Sequence, residues 1–111
     1  MIEFDVRTLE SGVGAVTPRG RLNMVAARQL KDILTTLSSD GVHQIVVDLA
    51  ETTFVDSSGL GALIGGVKST RQMGGDLRIV RPTEPVLAVL QITNLDKILR
   101  PRDSVELAFH E

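Results

Sequence analysis

The strongest constraint on the fold comes from the short run at residues 45–49, Ile-Val-Val-Asp-Leu, which is dominated by β-branched side chains. A run of this kind is typical of a strand that is buried on both faces, and such strands occur in parallel sheets. Apolar residues at helical spacing flank it, over residues 23–37 and again over residues 57–73. Because parallel neighbours need crossover connections, a strand between two helices predicts an α/β domain.

Shorter patterns complete the predicted order of elements. Residues 2–8 alternate apolar and polar side chains, and Ser11-Gly12 turns this strand into a second one at residues 13–20. Pro18 lacks an amide hydrogen, so we expect an edge, a bulge or a break there. The remaining predicted elements are a strand at 77–80, a helix at 86–92, a short strand at 98–99 and helical turns at 104–109. The pattern predicts a mixed, mostly parallel sheet of roughly 4–5 strands with about four helices.

The composition of the 111 residues excludes several classes of function. The absence of cysteine excludes a disulfide framework, a thiolate zinc site and a cysteine nucleophile. Twelve basic against fourteen acidic residues give a net charge of −2, and the three aromatic residues are all Phe, so we expect no direct nucleic-acid partner. No stretch approaches the roughly 20 apolar residues of a membrane span, and the first residues do not form an export signal. We therefore expect a cytoplasmic protein that does not bind a membrane.

The most unusual segment is residues 54–66, where helix-capping residues meet a high density of glycine. Asp56, Ser57 and Ser58 are all good N-cap residues, so the plainest interpretation is that they begin a helix. The glycines need another explanation, because each glycine inside a helix costs about 1 kcal/mol relative to alanine. Close approach of a neighbour is the usual reason, and that neighbour is either the sheet or a partner protein. The glycines in question are Gly59, Gly61, Gly65 and Gly66.

A serine in this segment is also suited to modification. At the start of a helix that follows a parallel strand, its hydroxyl lies near unpaired backbone N–H groups and the positive end of the helix dipole. A phosphate there would be tolerated locally and would add about −1.5 to −2 charges to the domain. Asp56 beside it would oppose this gain. We therefore expect a modified serine to change which partner can dock, without changing the fold.

Catalytic and cofactor-dependent functions fit the residues poorly. Neither serine lies in the Gly-x-Ser-x-Gly pattern of a nucleophile elbow, and the glycines lack the lysine of a phosphate-binding P-loop. His43, before a strand, and His110, near the last residue, are not expected to act as catalytic bases. Asp48 and Asp56 are too few carboxylates for a metal site. We expect no catalytic residue, no metal and no cofactor.

At these residues the sequence resembles the STAS domain family and, more narrowly, the bacterial anti-sigma factor antagonists. The resemblance rests on Asp-Ser-Ser-Gly-Leu-Gly at residues 56–61, preceded by residues 45–49 and by Phe54-Val55. Residues 20–23, Gly-Arg-Leu-Asn, are similar to the Gly-Glu-Leu-Asp stretch before the family's first helix, and residues 74–77 are similar to its turn into the next strand. The likeness covers almost the whole chain, which implies a single STAS domain over residues 1–111.

The resemblance implies a switch between partners. In the family, a serine-kinase anti-sigma factor with bound ATP holds a sigma factor inactive, and the unphosphorylated antagonist binds that kinase and frees the sigma factor. The kinase phosphorylates the first serine of Asp-Ser-Ser-Gly, which is Ser57 here, and a PP2C-type phosphatase restores it. The same resemblance implies a docking edge around Ser57, made of Asp56, Ser58, Gly59, Leu60 and Gly61, with Asn23 and Met24 beside it.

Two departures from the family pattern bear on these expectations. The acidic pair that usually precedes the first helix is Arg21 and Asn23 here, and the loss of an acid next to Ser57 would lower local repulsion and alter the phosphorylation rate or the choice of partner. Pro18 in the second strand is also less usual. Two other functions stay open. One is a STAS scaffold or subunit of a transport or stress-sensing assembly, with Ser57 only a cap. The other is a small hydrolase or nucleotide-binding protein.

Overall fold

The computed structural model describes residues 2–99, 101–102, 104–105 and 108–109, and these residues form both strands and helices. The strands are β1 (Glu3–Thr8), β2 (Gly14–Leu22), β3 (Gln44–Asp48), β4 (Thr52–Val55) and β5 (Asp76–Val80). The helices are α1 (Met24–Ser39), α2 (Ser57–Gln72), α3 (Glu84–Ile92) and α4 (Asp96–Leu99). No helix in this part of the chain is long and apolar enough to cross a membrane.

The strands form one mixed sheet of five strands, which is mostly parallel, as predicted. β1 and β2 form the expected antiparallel hairpin, in a register that places Val6 opposite Val16. β3 lies between β2 and β5 and runs parallel to both strands. β4 pairs with β2, also in parallel. The predicted α/β class is therefore confirmed.

β4 is missing from the predicted order of elements, and its place in the sheet explains why. β2 pairs with β3 through residues 14–16 and with β4 through residues 20–22, so two short strands share one long neighbour. Pro18 lies where the partner changes, and its carbonyl accepts a hydrogen bond of 2.9 Å from the Thr52 hydroxyl. The register shifts between Gly20 and Arg21. The expected irregularity near Pro18 is present, but β2 is a central strand and not an edge.

Both faces of the sheet are covered, which places β3 in the interior. Ile45 and Val47 pack into the larger core together with residues of α1, α2 and α3. Val46, which points to the opposite face, belongs to a smaller cluster that includes Val105 and Ala108. The side chains of Ile45, Val46 and Val47 are all fully buried. The expected two-sided burial of this strand is confirmed.

The buried side of α2 agrees only in part with the one that its apolar pattern predicts. The pattern favours a stripe through Leu60, Ile64, Val67 and Arg71, with Leu63 beside it. Leu63 and Val67 are buried, whereas Leu60 and Ile64 are half-buried and Arg71 is exposed. The covered side of the helix consists of Gly59, Ala62, Leu63, Gly66, Val67 and Thr70. Small residues let the helix approach β2, β5 and α1 closely. Gly59 and Gly66 therefore share the contact face with Leu63 and Val67.

The C-terminal part departs from the prediction at one element. Ile98 and Leu99 lie in α4 and not in a strand, because their amides donate to the Leu95 carbonyl at 3.1 and 2.9 Å. Two apolar residues alone do not distinguish a strand from a helix. The helical turns predicted over residues 104–109 lie partly outside the described residues. Among those that are described, Val105 and Ala108 are buried against the sheet.

Candidate functional site

Two strand ends bring the candidate residues together. Leu22, the last residue of β2, is paired with Val55, the last residue of β4. A single residue then separates each strand from its helix, Asn23 before α1 and Asp56 before α2. The Asp56 amide donates to the Leu22 carbonyl with an N···O distance of 3.4 Å. The starts of the two helices therefore lie side by side at one end of the sheet.

Asn23 and Asp56 cap these helices in the same way. Both residues have extended backbone conformations, and each accepts a hydrogen bond from the amide three residues ahead. The bond from the Ala26 amide to Asn23 Oδ1 is 3.1 Å long, and the bond from the Gly59 amide to Asp56 Oδ1 is 2.9 Å long. The plain interpretation of Asp56 as a helix cap is therefore correct. Its carboxylate also lies at the positive end of the α2 dipole, where a negative charge is favourable.

Ser57 is the first residue of α2 and is exposed, whereas Ser58 is half-buried. The first amides of a helix have no carbonyl acceptor within that helix, so the amides of Ser57 and Ser58 make no helical hydrogen bond. The first turn of α2 contains no acidic residue. The Ser57 hydroxyl is thus accessible at a position where an added phosphate would meet unpaired N–H groups and a favourable dipole.

The glycines of α2 divide into two kinds. A Cβ at Gly59 would lie 2.5 Å from the Leu22 carbonyl oxygen, and one at Gly66 would lie 2.6 Å from Leu77 Cδ1, so both positions are filled by the fold itself. Gly61 and Gly65 are exposed, and a Cβ at either would meet nothing within 4 Å in the described structure. The sheet therefore accounts for Gly59 and Gly66. Internal packing gives no reason for Gly61 and Gly65.

Apolar side chains surround this end of the sheet. Met24 and Val25 in the first turn of α1 are 58% and 63% exposed, although both are large hydrophobic residues. Leu60, in the first turn of α2, is half-buried. Scattered apolar exposure needs no explanation, but these residues lie beside an exposed helix start. The edge is thus partly apolar and partly polar.

The pair of Arg21 and Phe54 is a feature of this edge that the sequence does not reveal. The two residues are opposite each other in the pairing of β2 with β4. The Arg21 guanidinium carbon lies 4.2 Å from the centroid of the Phe54 ring, within the range of a cation–π contact. Because β4 is not predicted from the sequence, no pattern could have placed these two side chains together.

The other polar candidates lie elsewhere or have structural roles. His43 precedes β3, which puts it at the end of the sheet opposite Ser57. Asp48 is buried, accepts a hydrogen bond from the Ala50 amide at 3.1 Å, and is paired with Arg81. His110 lies outside the described residues. Within the described part of the chain, no group of three or more His, Cys, Asp or Glu side chains could hold a metal ion.

Comparison with known proteins places this chain in a family. A family model for the STAS domain matches residues 6–108, so the chain belongs to the STAS domain family. A Thermotoga neapolitana protein, named as a candidate anti-sigma factor antagonist and TM1081 homolog, is 33% identical over 95 residues, which span 85% of this chain and 84% of that protein. The anti-sigma-B factor antagonist of Staphylococcus epidermidis is 27% identical over 88 residues, 79% of this chain and 82% of its own.

Solved structures share the fold over nearly the whole chain. The anti-sigma factor antagonist SpoIIAA in its unphosphorylated form superposes with a TM-score of 0.82 at 22% identity, covering 94% of this chain and 90% of SpoIIAA. SpoIIAA of Bacillus in its phosphorylated form superposes with a TM-score of 0.75 at 21% identity, covering 94% and 93% of the two chains. Both forms of that protein therefore have the fold described above.

Proposed function

We propose that this chain is an anti-sigma factor antagonist that is switched off by phosphorylation of Ser57. In its unphosphorylated form it binds a serine-kinase anti-sigma factor and releases the sigma factor held by that kinase. The kinase transfers a phosphate to Ser57, the complex dissociates, and a PP2C-type phosphatase restores the binding form. The observation that carries the proposal is the exposed Ser57 hydroxyl at a capped helix start, in a chain whose relatives are named anti-sigma factor antagonists.

The position of Ser57 supports a modification that leaves the fold intact. The side chain is exposed, so a phosphate would not displace any buried atom. The helix start offers unpaired N–H groups and a positive partial charge, which suit an anion. The half-buried Ser58 is less accessible, which supports Ser57 as the acceptor. The fold shared with both forms of SpoIIAA is consistent with this view.

A phosphate at this point would act on the partner, because the partner has to cover it. The modification adds about −1.5 to −2 charges. Burying an unpaired charge in an interface costs several kcal/mol, and about 1.4 kcal/mol already weakens binding tenfold. A nanomolar complex would thus become too weak to persist. The open space over Gly61 supports a partner that approaches the α2 backbone closely next to Ser57.

The proposal is tested by phosphorylation with defined enzymes. The purified chain is incubated with Mg-ATP and each serine-kinase anti-sigma factor of the same genome, and the products are mapped by intact and peptide mass spectrometry. We expect one added phosphate at Ser57, absent from Ser57→Ala and retained in Ser58→Ala.

The control is a second antagonist on which the same kinases are shown to be active. If no kinase modifies the chain under those conditions, the proposal is wrong. A constitutive STAS scaffold, or a subunit of a transport or stress-sensing assembly, would then be the better description.

A further inference from the structure

Arg21, beside the docking edge, is a cation with which no carboxylate of the described structure forms an ion pair. Arg21 is exposed and stacks on Phe54, which is itself 37% exposed. Stacking occupies the face of the guanidinium and leaves the N–H donors in its plane available to another group.

Arg19, two residues earlier on the same strand, shows the contrast. Arg19 Nε donates to Glu51 Oε2 at 3.0 Å, and Arg19 Nη2 lies 3.7 Å from Asp5 Oδ2. The hydrogen bond to Glu51 raises the pKa of the Arg19 guanidinium above its ordinary value. Arg19 is thus neutralised within the domain, whereas the charge of Arg21 faces outward.

Arg21 lies close to the start of α2 along the chain, and its side chain is on the face of the sheet opposite Leu22 and Val55, which pack against Gly59. The next residue, Leu22, contacts the start of α2 through its carbonyl, and Phe54 lies two residues before Asp56. Neither α1 nor α2 has an acidic residue in its first turn, and Asp56 directs its carboxylate to the Gly59 amide. The two helix starts contribute positive partial charge. The formal charges of Arg21 and Asp56 cancel, but the Asp56 carboxylate is directed to the Gly59 amide, whereas Arg21 is exposed and forms no ion pair with a described carboxylate.

We infer that Arg21, held in place by Phe54, selects an anti-sigma factor that presents an acidic side chain opposite it. This inference rests on the proposed function, because it concerns the partner of the same edge. A phosphate on Ser57 would add about −1.5 to −2 charges to the edge that this partner covers. The attraction that guides docking would then become repulsion, so Arg21 would sharpen the switch as well as select the partner.

The test uses the kinase that phosphorylates Ser57 in the experiment above. Its affinity for the wild-type chain, Arg21→Gln and Arg21→Glu is measured with a non-hydrolysable ATP analogue in place of ATP, at about 50 mM and about 300 mM NaCl, since salt screens exposed charges. We expect Arg21→Gln to bind about tenfold more weakly at low salt and about twofold more weakly at high salt. Arg21→Glu should lose about a hundredfold at low salt.

Two further variants separate this contact from general effects. Arg7→Gln removes the same charge from an exposed residue of β1 that pairs with Ala15, far along β2 from Leu22, and it should bind like the wild type. Phe54→Leu keeps an apolar side chain but removes the aromatic face, and it should weaken binding about threefold. A lysine in place of the partner's acid should restore binding to Arg21→Glu.

The outcomes distinguish the inference from the function on which it rests. If Arg21→Gln binds like Arg7→Gln at both salt concentrations while Ser57→Asp still abolishes binding, the inference is wrong and the proposed function stands. Tighter binding by Arg21→Gln would also overturn it, because the partner would then present a basic group. If the unmodified wild-type chain binds none of the kinases, the proposed function fails and the inference fails with it.

Discussion

The starts of α1 and α2 are built alike but expose different chemistry. Both helices are 16 residues long, follow paired strand ends, and begin with a capping side chain that accepts the amide three residues ahead. The first turn of α1 exposes the apolar side chains of Met24 and Val25, whereas the first turn of α2 exposes the Ser57 hydroxyl. The shared geometry belongs to the fold. Under the proposed switch, one start would provide a permanent apolar contact and the other a charge that can be added and removed.

Adding a permanent charge to the α2 start should have the largest effect. We expect Ser57→Asp to weaken binding to the anti-sigma factor at least about a hundredfold, because the carboxylate would be desolvated in the interface. Ser57→Ala should bind like the unmodified chain and resist the kinase. Ser69→Asp places the same charge on an exposed residue three turns further along α2 and should leave binding unchanged. Equal affinities for Ser57→Asp and Ser69→Asp, measured by titration calorimetry, would contradict the proposed switch.

The second-largest effect is expected from overpacking the contact between α2 and the end of β2. In Gly59→Ala the added Cβ would lie 2.5 Å from the Leu22 backbone oxygen, so α2 would have to shift away from β2. We expect the free energy of unfolding to fall by about 2 kcal/mol, as for other overpacked sites. Gly65→Ala, where a Cβ meets nothing within 4 Å in the described structure, is the matched control. Urea denaturation measures both, and a Gly59→Ala variant as stable as Gly65→Ala would refute this geometry.

The apolar contribution of the α1 start can be measured without changing any charge. We expect Met24→Ala to weaken binding about tenfold, because an exposed apolar anchor would be lost from the interface. Met73→Ala is the matched control, since Met73 is 54% exposed against 58% for Met24 but lies at the other end of α2. Neither change should alter the unfolding free energy by more than about 0.5 kcal/mol. Similar affinities for the two variants would remove Met24 from the proposed docking edge.

The equivalence of the two caps can be tested by stability alone. Asn23→Ala and Asp56→Ala should each lower the unfolding free energy by about 1 kcal/mol, because each leaves one helical amide without its acceptor. Asp56→Asn keeps an oxygen for the Gly59 amide and should cost much less. These values come from urea denaturation curves. A loss confined to one of the two alanine variants would show that the helix starts are not equivalent.

The smallest effect is expected at Gly61, one of the two α2 glycines that packing inside the domain does not explain. Gly61→Ala should raise the unfolding free energy by up to about 1 kcal/mol, since alanine favours the helix and the position is open. The same change should weaken binding about threefold if the partner approaches the α2 backbone there. Gly65→Ala should give a similar gain in stability with unchanged binding. Unchanged binding in Gly61→Ala as well would leave this glycine outside the interface.

Much of the fold could be predicted because most elements have a clear local pattern. The run at residues 45–49 identified a strand with two buried faces, and Asn23 and Asp56 are capping residues by type. β4 was not predicted because its four residues, two of them buried, show no clear periodicity. It is a strand because it pairs with the last residues of β2, which are distant in sequence. Ile98 and Leu99 were ambiguous for a similar reason. In α2, the apolar pattern identified Leu63 and Val67 on the buried face but not Gly59 and Gly66, because glycine adds nothing to an apolar pattern.

The candidate site was also only partly predictable from the sequence. The capping role of Asp56 followed from its residue type, whereas Ser57 as phosphate acceptor came from the family resemblance. The sequence could not tell which glycines face the sheet, because Gly59 and Gly61 differ only in the direction that the helix gives them. Arg21 and Phe54 are brought together by the register of an unpredicted strand, so their contact required the structure.

The most direct test of the central claim is the affinity of one protein preparation for its anti-sigma factor before and after phosphorylation. We expect tight binding by the unmodified chain, at least about a hundredfold weaker binding once Ser57 carries phosphate, and full recovery after treatment with a PP2C-type phosphatase. Circular dichroism should show the same folded spectrum throughout. Equal affinities of the two folded forms would contradict the account.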